Sequence, residues 1–235
     1  MVKVAVIVPA YNEEKAIAGV VNGINAVDPG TDIFLDVIVI NDCSVDQTAP
    51  IVSELKCTLL DLPVNTGIGG AVQTGFKFAF ENNYDYAMQV DGDGQHPPAE
   101  IPKLIHAIIE KNLDVVIGSR FLENKGFLST FSRRVGIVFF KHLIQMLCGI
   151  RITDATSGFR IVNKKVLSLV SEQYPDEYPE PESIILLWKH NLKIGEVPVQ
   201  MRERQGGQSS IRAFKSLYYM VKVSLAIFFK YLKSK

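Results

Sequence analysis

Asp91-Gly92-Asp93 is the stretch of this 235-residue chain best suited to do chemistry. Two carboxylates one residue apart, with a glycine allowing a tight backbone between them, can hold a hard divalent cation through oxygen atoms. Such a cation bridges phosphates. Taken alone the pattern is weak, because Asp and Gly also build ordinary turns. Gln95 adds an amide oxygen two residues beyond Asp93, and His96 follows as a lesser candidate for the same ion.

Three further polar segments precede it. Pro9-Ala10-Tyr11-Asn12-Glu13-Glu14 contains no glycine, so it is not the GxGxxG dinucleotide fingerprint, and a nicotinamide cofactor is disfavoured. Here Pro9 stiffens the chain, Tyr11 could cover a base or ribose, and Asn12 and Glu13 are expected to start a helix, with Asn12 as its cap. In the second segment, Asn41 to Thr48, Asp42 offers a carboxylate to a nucleobase N–H or ribose hydroxyls, and Ser44 or Asp46 is expected to cap the next helix. The third, Asn65 to Ala71, includes Gly67 and is glycine-rich ahead of a helix, which lets a ligand approach the backbone closely.

These segments need a scaffold, and the apolar runs supply one. Val4–Val8, Asp36–Ile40, Tyr86–Val90 and Asp114–Gly118 are short β-branched stretches separated by helix-like segments, a rhythm that predicts a mostly parallel sheet covered by helices. Each run ends just before a polar cluster, the last of them Ser119-Arg120. Open α/β sheets bind ligands at the carboxyl ends of their strands. The second half predicts a helix from Leu128 to Cys148, a proline-broken loop through Pro175, Pro179 and Pro181, a helix from Ser183 to His190, and a strand from Ile194 to Val199. From residue 211 to 235, Arg212, Lys215, Lys222 and Lys230 recur among Leu217, Val221, Leu225 and Phe228, which predicts a cationic amphipathic helix for a membrane surface or an oligomer contact.

Composition narrows the classes. With 47% hydrophobic residues the chain can build a core, and its 25 basic and 25 acidic residues cancel, so no global field draws it to nucleic acid. Three scattered cysteines, Cys43, Cys57 and Cys148, fit neither a disulfide framework nor a structural zinc site. Together with a strand-like run at the N-terminus in place of a leader, they predict a cytoplasmic setting.

VIVPAYNEE, NDCSVDQT, NTGIGGA, VDGDGQHPP and GSRF, followed by DATSGFR at 154–160 and RQGGQSS at 204–210, together resemble the family 2 glycosyltransferases. Within them the chain is similar to the polyprenyl-phosphate sugar transferases of the dolichol-phosphate mannosyltransferase type. The resemblance covers residues 1–210 and implies a Rossmann-like GT-A catalytic domain there, with 211–235 as an appended helix. Asn41 departs from the family's DDxSxDxT pattern at its first position.

The resemblance implies that Pro9, Tyr11, Asn12, Glu13, Asp42, Gly67, Asp91, Gly92 and Ser209 surround the donor. It also implies that Asp91, Asp93 and Gln95 hold Mg²⁺ or Mn²⁺ on the diphosphate. Arg120, Arg133 and Arg134 correspond to positions that receive the acceptor phosphate, a role suited to the planar guanidinium fork. Asp93, Arg120 and Arg204 would carry the chemistry. The implied reaction moves a hexose or N-acetylhexosamine from a UDP- or GDP-sugar to an undecaprenyl or dolichyl phosphate with inversion, on the cytoplasmic face of the membrane. A saccharide or protein hydroxyl acceptor would instead require a carboxylate base, for which Glu180 and Glu182 are candidates. A noncatalytic nucleotide-sugar-binding subunit of a membrane complex is the competing class. A homo-oligomer or a small membrane-protein partner is compatible with either.

Overall fold

The computed structural model describes residues 1–123, 131–176, 179–203 and 213–232, without the side chains of 131–133 and 213–219. Seven strands form one sheet: β1 (Val2–Ala10), β2 (Ile33–Asn41), β3 (Thr58–Asp61), β4 (Tyr86–Gln89), β5 (Val115–Ser119), β6 (Arg160–Asn163) and β7 (Ile194–Pro198). Their order is β3-β2-β1-β4-β6-β5-β7. β6 runs antiparallel to both β4 and β5, and every other pair is parallel. The mostly parallel sheet expected from the apolar runs is therefore present, with two short strands, β3 and β6, added.

Helices cover both faces, which is why the central strands are apolar on both sides rather than alternating. Along β1, Val4, Val6 and Val8 pack on α1 (Ile17–Asn25), α2 (Thr48–Ser53) and α4 (Ile101–Glu110). Ala5 and Ile7 point the other way, into a core built with α3 (Gly67–Glu81), α5 (Phe131–Cys148), α6 (Lys164–Val170), α7 (Pro179–Lys189) and α8 (Ala213–Leu232). Complete burial of an Ile or Val side chain contributes about 1.5–3 kcal/mol. At Gly75 a Cβ would lie 2.3 Å from the Ile7 side chain, so α3 seats directly on the sheet only because that position has none.

One expectation changes in the second half. The helix expected from Ser183 begins at Pro179, with Pro179 and Pro181 inside its first turn, where the missing N–H groups have no intrahelical partner to lose. The C-terminal helix packs one side on the core. Val223 and Ile227 are fully buried in the core, Trp188 stacks on Tyr231, and the Lys189 ammonium donates to the Lys230 carbonyl. Lys222 and Lys230 are only half exposed, while Val221, Leu225, Phe228, Phe229 and Leu232 face outward. Among the described residues no helix is long and apolar enough to cross a membrane.

Candidate active site

Because β1, β2, β4 and β5 are parallel, the polar segments that follow them emerge at one edge of the sheet. Antiparallel β6 starts at that same edge, so the segment 154–159 leading into it joins them. Spacing in sequence does not reveal this junction; strand direction does.

The first two loops are stitched together. Asn12 adopts a positive φ of 56°, donates its N–H to Ser44 Oγ at 2.9 Å and accepts the Val45 N–H at 2.9 Å. It therefore does not cap a helix: α1 starts at Ile17 after Ala16, and the expected capping role is corrected to loop bridging. Glu13 is buried and donates its N–H to Thr48 Oγ1 at 2.8 Å. The N-cap of α2 is Gln47, so neither Ser44 nor Asp46 holds the expected cap position; Asp46, one residue earlier, accepts from the Thr48 N–H and hydroxyl. Burial alone would raise its pKa, but the Thr48 and Glu14 hydrogen bonds outweigh that and hold it below the ordinary carboxylate value. Tyr11 is 49% exposed at the rim, free to cover a ligand.

Asp42 is buried and already engaged. One carboxylate oxygen accepts the Thr66 N–H at 2.6 Å and its hydroxyl at 2.9 Å, while the other accepts the Gly67 N–H at 2.9 Å. Asn65 donates to the Asp42 carbonyl at 3.0 Å. Asp42 thus anchors the glycine-rich third loop, whose Gly67 has a positive φ of 76°. Asn41, the departure from the family pattern, donates to Asp61 Oδ1 at 2.7 Å directly across the β2–β3 pair. An aspartate there would face a second carboxylate, so Asp61 accounts for the amide.

The Asp91-Gly92-Asp93 loop lies against the exit of β1. The Gly92 N–H reaches the Pro9 carbonyl at 3.3 Å, and a Cβ at Gly92 would sit 3.0 Å from that oxygen. Asp91 Oδ1 accepts from Gln89 Nε2 at 2.9 Å, and the Asp91 N–H donates to His96 Nδ1 at 3.0 Å. Asp93 is buried and accepts the Gln95 N–H at 2.9 Å. Gln95 is tied to Arg202 through backbone and side chain, the Arg202 N–H donating to its carbonyl at 3.0 Å. Among the described residues no three His, Cys, Asp or Glu side chains gather to hold an ion. Two carboxylates and an amide oxygen fit a hard cation that takes its remaining ligands from phosphate and water.

Arg120 is not the open phosphate receptor expected. Its guanidinium forms a bidentate pair with Asp154, Nε at 2.7 Å and Nη2 at 2.8 Å, and Nη2 also reaches Thr156 Oγ1 at 3.1 Å. Arg120 is 6% exposed and Asp154 fully buried. Glu196 on β7 accepts the Thr153 and Asp154 N–H groups, completing a clamp between β5, β7 and the 154–159 segment. Arg134 is exposed on α5. The Arg133 side chain, Arg204 and Ser209 lie outside the described residues.

Arg160 is a feature the motif reading passed over. Buried at the start of β6, it donates to the carbonyls of Ser157, Ala155 and Glu180 and to Ser183 Oγ, which fastens the first turn of α7 to the sheet. Tyr174 packs edge-on against Phe76, with ring centroids 5.4 Å apart. Burial first, then the charges of Glu180 and Asp91, push its phenol well above the ordinary value, with Arg160 opposing. The Asp176 carbonyl accepts the Gly69 N–H at 3.1 Å.

Comparison with known proteins follows the same lines. The family model described as Glycosyl transferase family 2 matches residues 5–170. UDP-N-acetylglucosamine–dolichyl-phosphate N-acetylglucosaminyltransferase of Methanococcus voltae is 35% identical over 214 residues, covering 83% of this chain and 83% of that protein. Polyprenol monophosphomannose synthase of Mycolicibacterium smegmatis is 26% identical, covering 93% of this chain and 84% of that one. Among solved structures, glucosyl-3-phosphoglycerate synthase from Mycobacterium tuberculosis, in complex with Mn²⁺, UDP-glucose and phosphoglyceric acid, superposes with a TM-score of 0.71. That match has 19% identity over 99% of this chain and 79% of that one, and shows a common fold.

Proposed function

The chain belongs to glycosyltransferase family 2, and from that premise we propose that it transfers a hexose or N-acetylhexosamine from a UDP- or GDP-sugar to a polyprenyl phosphate, with inversion. The observation that carries the reading is the convergence of the Asp91–Gln95 loop with the Asp42-anchored glycine loop at one sheet edge. The names of the relatives from Methanococcus voltae and Mycolicibacterium smegmatis support the lipid-phosphate acceptor.

In this reading Tyr11, Glu13, Asp42 and Gly67 surround the nucleotide, and Asp91, Asp93 and Gln95 face its diphosphate. Mg²⁺ or Mn²⁺ bound there would neutralise charge on the departing nucleoside diphosphate. Arg204 and Ser209 are assigned to the same diphosphate from the sequence motif alone. A phosphate monoester is already ionised near neutral pH, so the acceptor oxygen attacks the anomeric carbon in line without a strong general base. What the protein supplies is alignment. Arg133 and Arg134 are assigned to the acceptor phosphate, while Arg120 positions the 154–159 segment through Asp154. The outward apolar residues of α8, with Val135, Val138 and Phe139 on α5, offer the lipid surface from which such an acceptor would come.

The hydroxyl-acceptor alternative draws on Glu180, in the first turn of α7, as its carboxylate base. One assay separates the readings. The protein is incubated with radiolabelled UDP- and GDP-sugars, Mn²⁺, and either polyprenyl phosphate or saccharide acceptors. An organic-extractable sugar lipid that is lost in Asp93→Ala and survives in Glu180→Gln is the expected result. Water-soluble product alone, abolished by Glu180→Gln, would refute the lipid-phosphate acceptor.

A further inference from the structure

We propose that His96 is a positioning residue for the metal site, acting through the backbone of Asp91 and not as a ligand; this rests on the reading of Asp91, Asp93 and Gln95 as the metal-binding group. His96 is 4% exposed and follows the loop it supports. Its Nδ1 accepts the Asp91 N–H at 3.0 Å, so that nitrogen carries no proton and has no lone pair left for an ion. The proton of the neutral ring then sits on Nε2, which lies 3.7 Å from Asp91 Oδ2.

The ring cannot swing away. Its face stacks on Phe159, with centroids 4.8 Å apart and planes 12° from parallel. Phe159 belongs to the segment leading into β6, and the adjacent Gly158 would place a Cβ 2.6 Å from Gln89 Nε2. That amide holds Asp91 Oδ1 from the other side at 2.9 Å. Asp91 is therefore fixed at its backbone by His96 and at Oδ1 by Gln89, while Oδ2 lies 3.7 Å from His96 Nε2. Partners of this kind set the orientation of metal-binding carboxylates, and their removal typically weakens metal affinity about 10- to 100-fold.

Two variants separate the acceptor from the stack. His96→Phe keeps an aromatic face for Phe159 but leaves the Asp91 N–H without its acceptor. His96→Asn places Oδ1 where Nδ1 stood and gives up most of the stack. The readout is the Mn²⁺ dissociation constant, measured by the paramagnetic resonance signal of free Mn²⁺, with and without UDP, alongside thermal unfolding. His96→Phe should bind Mn²⁺ at least about tenfold more weakly and His96→Asn within about threefold of wild type. Equal affinity in folded His96→Phe, or a tenfold loss in folded His96→Asn, overturns the proposal. Should His96→Phe fail to fold, His96→Asn alone decides it. Wild-type protein that binds no Mn²⁺ under either condition overturns the metal reading itself, so the two failures are distinct.

Discussion

Asp154→Leu removes the counter-charge of a buried arginine, and its cost follows from the geometry. Arg120 would keep its guanidinium at 6% exposure with two hydrogen bonds to Asp154 gone, and its own N–H would lose the 3.2 Å bond to the same carboxylate. Breaking one partner of a buried pair costs about 3–5 kcal/mol, whereas replacing both with apolar groups is often neutral. For a chain of this size each kcal/mol lowers Tm by about 2–4 °C, so the single variant should lose roughly 6–20 °C. Arg120→Met should be comparably affected, because Asp154 is then buried alone. The double variant should recover most of the loss. Urea midpoints for wild type, both singles and the double give the coupling energy as a double-mutant cycle. Additive effects, each below about 1 kcal/mol, would refute the clamp. A steep rise in acceptor KM for Arg120→Met at unchanged Tm would return Arg120 to the acceptor phosphate.

Other perturbations test separate parts of the structure. Asn41→Asp, which restores the family's usual residue, should destabilise this chain by about 1–3 kcal/mol by setting a second carboxylate against Asp61; adding Asp61→Asn should reverse most of the loss in urea midpoint. Phe228→Ser with Phe229→Ser should lower sedimentation with anionic liposomes while leaving Tm nearly unchanged, since both rings face outward; equal sedimentation would remove α8 from the membrane reading. Asp46 and Asp114 are both held below the ordinary carboxylate value, their hydrogen bonds outweighing burial. A lowered folded pKa adds stability above the unfolded value near 3.8 and loses it as pH falls through the folded value. Urea midpoints should therefore decline from about pH 5 downward, and Asp114→Asn should flatten that decline.

The first half of the fold was legible because its signals are local. Each long apolar run ends in a polar cluster, and parallel strands put successive clusters at one edge, so β1, β2, β4 and β5 with their loops follow from pattern alone. β3 was hidden because Thr58–Asp61 is short and only partly buried at the edge. β6 was hidden because a four-residue strand reversed between parallel neighbours has no signature beyond its apolar residues. Missing β6 also concealed Arg160 and Asp154, which reach the site only because that strand runs backwards. Asn12 and Arg120 share a lesson: residue type shows what a side chain can bind, but not which partner the fold has already given it. Lysine spacing on α8 does not show which apolar residues reach the core: Val223 and Ile227 turn inward and Phe228 and Phe229 outward.

The place of β6 in the sheet has a bearing on how such enzymes can diversify. Strands β3, β2, β1 and β4 all come from residues before the Asp91 loop, and β6, β5 and β7 all come from residues after it. The sheet is thus two blocks contiguous in sequence, joined along the four residue pairs of β4 and β6. One genetic crossover, placed in the loop that carries the paired aspartates, would exchange the whole acceptor-side block and keep the nucleotide-side block intact. The junction such a chimera must preserve extends beyond that seam: besides Gln89 with Gly158 and Arg160, it includes the packing of α3 on α6 and the Gly69 N–H on the Asp176 carbonyl.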